Sequence, residues 1–414
     1  MHRGLGVLWG HPHWNPLECG WEAELRFDDL VRYACAKHID VANDASWVSI
    51  RSALVYAFVD RFIEKRQELT FSALDSVVAR SCKHIRTKLE DHTLVVPCRL
   101  WSQGIPDEIP IGPVTFHRAQ KFLADGAIKH GGVTSTSSKW SEEAAAFARE
   151  SGWVAILTIP HVDATVALDR ARRAIDSAIN VLRILLGPER TRQVRRAESW
   201  GPPGSHSYFR LMPDRSMRVT ATWGGREDLM WENWPKLVFG GTADAIREWA
   251  GASIHGLTNP QQRFPLQQRF LDALKWYGDA VQEHSCAARI AKCVFAWERL
   301  VVASDRPPPP GVGQTEIVSE RVAKLCEYSD GEVGSELRKQ IRKHYDIRSR
   351  LAHGSKSPWA DQQLELFAAA CEKLTARALV GSLRHYLELR GGAGTDEELE
   401  KTFATGERAD ASGE

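Results

Sequence analysis

No apolar run in this 414-residue chain approaches the roughly 20 residues that a membrane-spanning helix needs. The first ten residues, Met1 to Gly10, lack the apolar core and small-residue cleavage site of a secretory signal. Eight cysteines are scattered along the chain, none forms Cys-x-x-Cys, and none stands at zinc-finger spacing from a histidine pair. The expectation is therefore reduced cysteines in a cytoplasmic protein with no membrane segment, no structural metal and no cofactor. Charge of one sign is also lacking. Lys and Arg number 54 against 53 Asp and Glu, a net charge of +1, so no global basic field draws in nucleic acid. Any RNA contact has to come from a local patch. The first 240 residues hold no Gly-x-Gly-x-x-Gly, Walker loop or Gly-x-Ser-x-Gly, and no internal repeat is visible.

The length exceeds what one hydrophobic core usually serves, so at least two domains are expected. Fifteen tryptophans point to large aromatic cores or interfaces. Residues 1–27 read as an irregular arm, in which His11 and His13 flank a proline as in a surface turn. Between Asp28 and Leu89, Leu54, Phe58, Phe62 and Leu69 fall near helical spacing. Thr93–Trp101 and Ile109–Phe116 read as two strands demoted to edges by their prolines. A helix is expected from His117 to Lys129, a loop over Gly131–Ser138 and an N-cap at Ser141. Trp153–Ile159 is the clearest strand, and an amphipathic helix over Asp163–Leu186 follows, closed by Gly187-Pro188. A hairpin is expected around Pro213-Asp214. Residues 28–250 thus form an expected mixed α/β domain, a candidate for a sensing or regulatory role. From Pro265 the pattern is nearly all helical, broken by Pro307–Gly311, and residues 255–390 are expected to form an all-α bundle. The tail 391–414 is small and polar, and is expected to be disordered. The fold class is α+β followed by a helical bundle.

The chemistry-bearing segment is His344 to Gly354. It contains Arg-x-x-x-x-His, Arg348 to His353, near the end of a helix, with Gly354 where a C-terminal glycine belongs. Arginine holds a phosphate bidentately and stabilises charge in a transition state. Histidine titrates near neutrality and accepts the proton of a 2′-hydroxyl. Five residues span about 500° of helix, so the two side chains point about 140° apart. A cleft between two copies of the same helix brings them together. The bland alternative is that Arg348 pairs with a carboxylate and His353 caps the helix.

Tyr-Asp-x-Arg-Ser-x-x-x-His-Gly, Tyr345 to Gly354, resembles the signature of the Apea-like HEPN family. So do the upstream Ala273-Leu274-Lys275-Trp276-Tyr277 and Ala296-Trp297-Glu298-Arg299-Leu300-Val301, and the order of helices. The resemblance covers only the C-terminal third. It implies a dimerising HEPN-like bundle that cuts single-stranded RNA without metal, often in prokaryotic antiviral defence or growth arrest. By position it makes Arg348 and His353 the catalytic pair. Ser349, Arg350 and Asp346 are supporting residues, and Glu298 is an acidic partner orienting Arg348 or Arg350. Expected partners are RNA, a second copy of the chain, and a phage-derived trigger or an antitoxin. A non-catalytic module that binds RNA or protein is the competing expectation. Arg170, Arg173, Arg192, Arg195 and Arg196 form a second candidate RNA-contacting patch, weighed against a solvated helix face.

Overall fold

The helical periodicity between residues 28 and 89 becomes four helices in the structure, a computed structural model. It describes residues 8–9, 17–18, 21–101, 106–124, 151–197, 206–211, 217–222, 234–302, 313–330, 335–359, 364–389 and 393–410. The four helices are α1 (Trp21–Lys37), α2 (Ile39–Asp44), α3 (Trp47–Phe58) and α4 (Phe71–Arg86). A π-helical turn, Val59–Glu64, continues α3. The caps follow the sequence: Ser46 and Thr70 each accept a backbone N–H at 3.2 Å, from Ser49 and Ala73. Val31, Leu54 and Val78 are fully buried between these helices, each stabilising the fold by about 1.5–3 kcal/mol. Together with Thr158–Arg170 they make one of two compact units.

The second unit comprises Leu94–Leu157 and Ala171–Glu414. Its sheet is small and antiparallel, in the order β4 (Glu108–Ile111), β5 (Val114–Arg118), β6 (Trp153–Val162), β3 (Glu90–Arg99), β7 (Arg195–Arg196). The unit boundary falls inside β3 and β6 in sequence. Strands β4 and β5 pair as a hairpin, Ile111 opposite Val114, turning at Gly112. Gly112 has φ +57° and a Cβ there would strike the Gly251 backbone, so only glycine fits. Against the sheet, Trp101 stacks on Trp234 at 5.1 Å and Trp153 donates its indole N–H to the Trp101 carbonyl at 2.7 Å. Part of the tryptophan richness is thus an aromatic core. Two two-residue strands, β1 (Leu8–Trp9) and β2 (Leu17–Glu18), pair near the N-terminus, and β8 (His206–Leu211) pairs β9 (Met217–Thr222) as the expected hairpin.

Shorter helices α5 (Ala119–Ala124), α7 (Pro188–Thr191) and α8 (Trp234–Val238) flank the long α6 (Ala164–Leu186) and α9 (Thr242–Thr258). Asp163 caps α6 by accepting the Val166 N–H at 2.8 Å. The bundle follows: α10 (Pro265–Val281), α11 (Cys286–Val301), α12 (Gln314–Asp330), α13 (Ser335–Ala352), α14 (Leu364–Glu388) and α15 (Asp396–Asp410). Helices α10, α11 and α14 pack mutually, and α13 packs on α11 and α12. Phe270, Leu274, Tyr277, Ile290, Val294, Trp297 and Val301 are fully buried, as the helical spacing requires.

Several boundaries differ from expectation. Helix α1 begins at Trp21, inside the expected arm 1–27. The span 28–250 is divided between the two units, the division passing through β3 and β6. The expected second strand is the β4–β5 hairpin, and the helix expected at His117 begins at Ala119 because β5 runs through Arg118. The tail is not disordered over 396–410. Helix α15 buries Leu399 and Phe403, and its Asp396 accepts from Arg269 at 2.5 Å. Two apolar residues four apart dock the start of a helix that is polar on average. His11, His13, Gly131–Ser138, Ser141, Pro213 and Pro307–Gly311 lie outside the described residues. Among the described residues, no helix is long and apolar enough to cross a membrane.

Candidate functional site

Helix α13 buries Leu337, Ile341, His344, Tyr345 and Ile347 and turns its charged positions outward. Its last turn is closed as the sequence requires. The His353 N–H donates to the Ser349 carbonyl at 3.0 Å and Gly354 takes φ +72°. The Arg350 carbonyl accepts from the Lys356 N–H at 3.2 Å and the Ser355 hydroxyl at 3.3 Å, which turns the chain away from the helix.

Arg348 lies on the α11 side of α13. Its guanidinium sits 5.1 Å from the Phe295 ring centre and 5.9 Å from that of Tyr345. It faces the Glu298 carboxylate at 3.9 Å, beyond hydrogen-bonding distance. Glu298 is held instead by Tyr345, whose hydroxyl donates to Oε1 at 2.6 Å. Burial, and then that carboxylate, push the Tyr345 phenol well above its ordinary range, so it stays a proton donor. Arg348 makes no hydrogen bond among the described residues. Its side chain is 24% exposed.

His353 stands exposed just beyond α13. Asp346 and Arg350 are exposed on the outer face and Ser349 is half-buried. The structure places Glu298 3.9 Å from Arg348, and no described contact joins it to Arg350. His344, the other histidine of the motif, is a core residue. Its ring lies between Trp297 and Phe367, at 6.2 and 5.8 Å, and Nδ1 donates to the Gln340 carbonyl at 2.7 Å. Desolvation lowers its pKa and keeps it neutral. Of these two histidines, His353 is the exposed one.

The second arginine patch is not a single surface. Arg170 is buried in the first unit, donating to Asp44 at 2.9 Å and to the Asn43 carbonyl at 2.7 Å. Arg196 grips Asp176 through two bonds at 2.6 and 2.9 Å. Arg192 donates to Glu372 at 2.9 Å and to the Val281 carbonyl at 2.8 Å. Desolvation lowers the pKa of half-buried Arg195. Of the five, only Arg173 is exposed. Only Arg170 and Arg173 lie on α6; Arg192 follows α7, and Arg195 and Arg196 form β7, so the run does not share one helix face.

Sequence reasoning assigned no role to Tyr345, Phe295 or Trp276. Tyr345 precedes Arg348 by three residues and Phe295 precedes Glu298 by three, the spacing that stacks neighbours on one helix face. Among the described residues, no group of three or more His, Cys, Asp and Glu is placed to hold a metal ion. No family model, curated protein or solved structure matches the chain.

Proposed function

We propose that the chain is a metal-independent endoribonuclease of the HEPN type, acting through Arg348 and His353 in a cleft shared by two copies. His353 takes the proton of a ribose 2′-hydroxyl, the oxygen attacks the adjacent phosphorus, and the 5′-oxygen leaves with a proton returned by an imidazolium or water. Arg348 holds the phosphate and the charge that grows on it. One observation supports this reading above others. Arg348 is backed by two aromatic rings and by the Tyr345-held Glu298, yet makes no hydrogen bond among the described residues. Arg192, by contrast, holds both a carbonyl and a carboxylate. The role implied is in antiviral defence or growth arrest, with an antitoxin as the controlling partner in a two-component version. The first unit and the sheet would carry the trigger response.

The rival reading is a non-catalytic module that binds RNA or protein. The rotation of about 140° between positions 348 and 353 on one helix favours it, because a single copy does not aim both at one phosphate. The deciding measurement is cleavage of a mixed single-stranded RNA pool by the purified chain in EDTA. His353→Ala is expected to lower the rate by about 10²–10⁴-fold with an unchanged melting temperature, since the residue is exposed. Arg348→Lys should rescue Arg348→Ala poorly, because lysine presents no planar fork. A folded His353→Ala that cuts at the parental rate moves the assignment to the binding module.

A further inference from the structure

Beside Arg348 lies an aromatic surface that the cleavage chemistry does not use. Trp276 on α10 packs its ring against Phe295 on α11, centres 5.2 Å apart and planes tilted by 60°. Phe295 in turn carries the Arg348 guanidinium at 5.1 Å. Three helices thus set tryptophan, phenylalanine and arginine in one row. The row is not closed over. Trp276 is 38% exposed, while Trp297, two residues after Phe295 and on the inner side of α11, is wholly buried. Lys275 adds a cation 5.9 Å from the Trp276 ring centre.

A large aromatic left partly open beside a phosphate-binding arginine is what an unpaired nucleobase requires. Every base offers a π-face, and stacking tolerates sequence because it reads no hydrogen-bond pattern. An amphipathic core explains Phe295, which is half-buried, and Lys275 pairs with Asp279 one turn on, but neither accounts for the exposure of Trp276. We propose that Trp276, backed by Phe295, is the stacking platform for a base of single-stranded RNA adjoining the phosphate that Arg348 holds. The proposal rests on the reading of Arg348 as a phosphate ligand. It names the substrate as unpaired RNA, since a duplexed base has no free face.

The test is fluorescence anisotropy with a labelled ten-nucleotide oligouridylate and its fully abasic ribose-phosphate counterpart, in EDTA, on the full chain carrying His353→Ala to suppress cleavage. Trp276→Ala should weaken oligouridylate binding by about 5- to 100-fold, and Trp276→Phe should restore most of it. The abasic strand should bind both Trp276 variants and their parent alike, and should be weakened by Arg348→Ala. If Trp276→Ala weakens both strands equally, or neither, the platform is overturned while the RNA reading stands. If the parent binds neither strand, the RNA reading itself fails and the platform with it.

Discussion

Two arginine–glutamate contacts in the second unit are built in opposite ways. Glu372 on α14 is completely buried and is held by Arg289 at 2.7 Å and Arg192 at 2.9 Å. Glu298 on α11 is 26% exposed, faces Arg348 at 3.9 Å, and hydrogen-bonds a tyrosine instead. The first contact ties α7, α11 and α14 together with each carboxylate oxygen committed to one guanidinium. The second leaves its arginine uncommitted. These two contacts therefore behave as a lock and an available group, and burial is what obliges the first to be saturated. A buried charge must be saturated or it opposes folding, whereas an exposed one is completed by water or by a ligand.

The sharpest way to break this contrast is to remove the locked carboxylate. Glu372→Ala leaves Arg289, itself 7% exposed at its side chain, without its charge partner. The expected loss is about 3–5 kcal/mol of stability, read as a lowered denaturant midpoint. Replacing Arg289 by methionine in the same chain should recover part of that loss, since the uncompensated charge goes with it. A Glu372→Ala chain that unfolds at the parental midpoint would erase the distinction between the two contacts.

A third carboxylate is as exposed as Glu298 yet fully committed. Glu283, in the turn joining α10 and α11, accepts from Lys292 at 2.7 Å and from the backbone N–H groups of His284 and Ser285 at 2.9 and 3.1 Å. Lys292 first, and then those N–H groups, pull its pKa down to about 2. A depressed carboxylate stabilises the fold fully above its unfolded pKa, about 4.3, and that contribution is lost as pH falls through the folded value. Solvent screens the site, so Glu283→Gln should cost about 1 kcal/mol at neutral pH. The gap between parent and variant should narrow below about pH 4 and close near pH 2. A gap independent of pH would mean that the side chain acts through shape and not charge.

How much of this was legible beforehand follows from what each residue depends on. Helices α10 to α14 declared themselves, because Phe270, Leu274, Ile290 and Val294 repeat at helical spacing and the caps are local. The end of α13 was legible for the same reason: Gly354 in the left-handed region is a property of one residue. Pairings distant in sequence were not. Arg192 reads as one of a run of surface arginines, and only the fold brings it to Glu372, 180 residues away. Tyr345 looked like one letter of a motif until α11 supplied Glu298. The tail failed on composition, because Leu399 and Phe403 are too few to offset a polar average yet enough to dock α15.

The smallest expected effect bears on the available group itself. Glutamine at position 298 still accepts the Tyr345 hydroxyl, so Glu298→Gln should change stability by only a few tenths of a kcal/mol. What it removes is the negative charge facing Arg348 at 3.9 Å. That carboxylate makes no hydrogen bond to the guanidinium, so it orients Arg348 weakly while competing electrostatically with any phosphate approaching it. On the reading of Arg348 as a phosphate ligand, single-stranded RNA should then bind up to about fivefold more tightly to the variant, the worth of an exposed ion pair. The gain should shrink as salt is raised, since screening weakens contacts between exposed charges. Anisotropy titrations at two salt concentrations give both the sign and the trend. A fall in affinity would show instead that Glu298 positions Arg348, and the contact would move from the available group towards the lock.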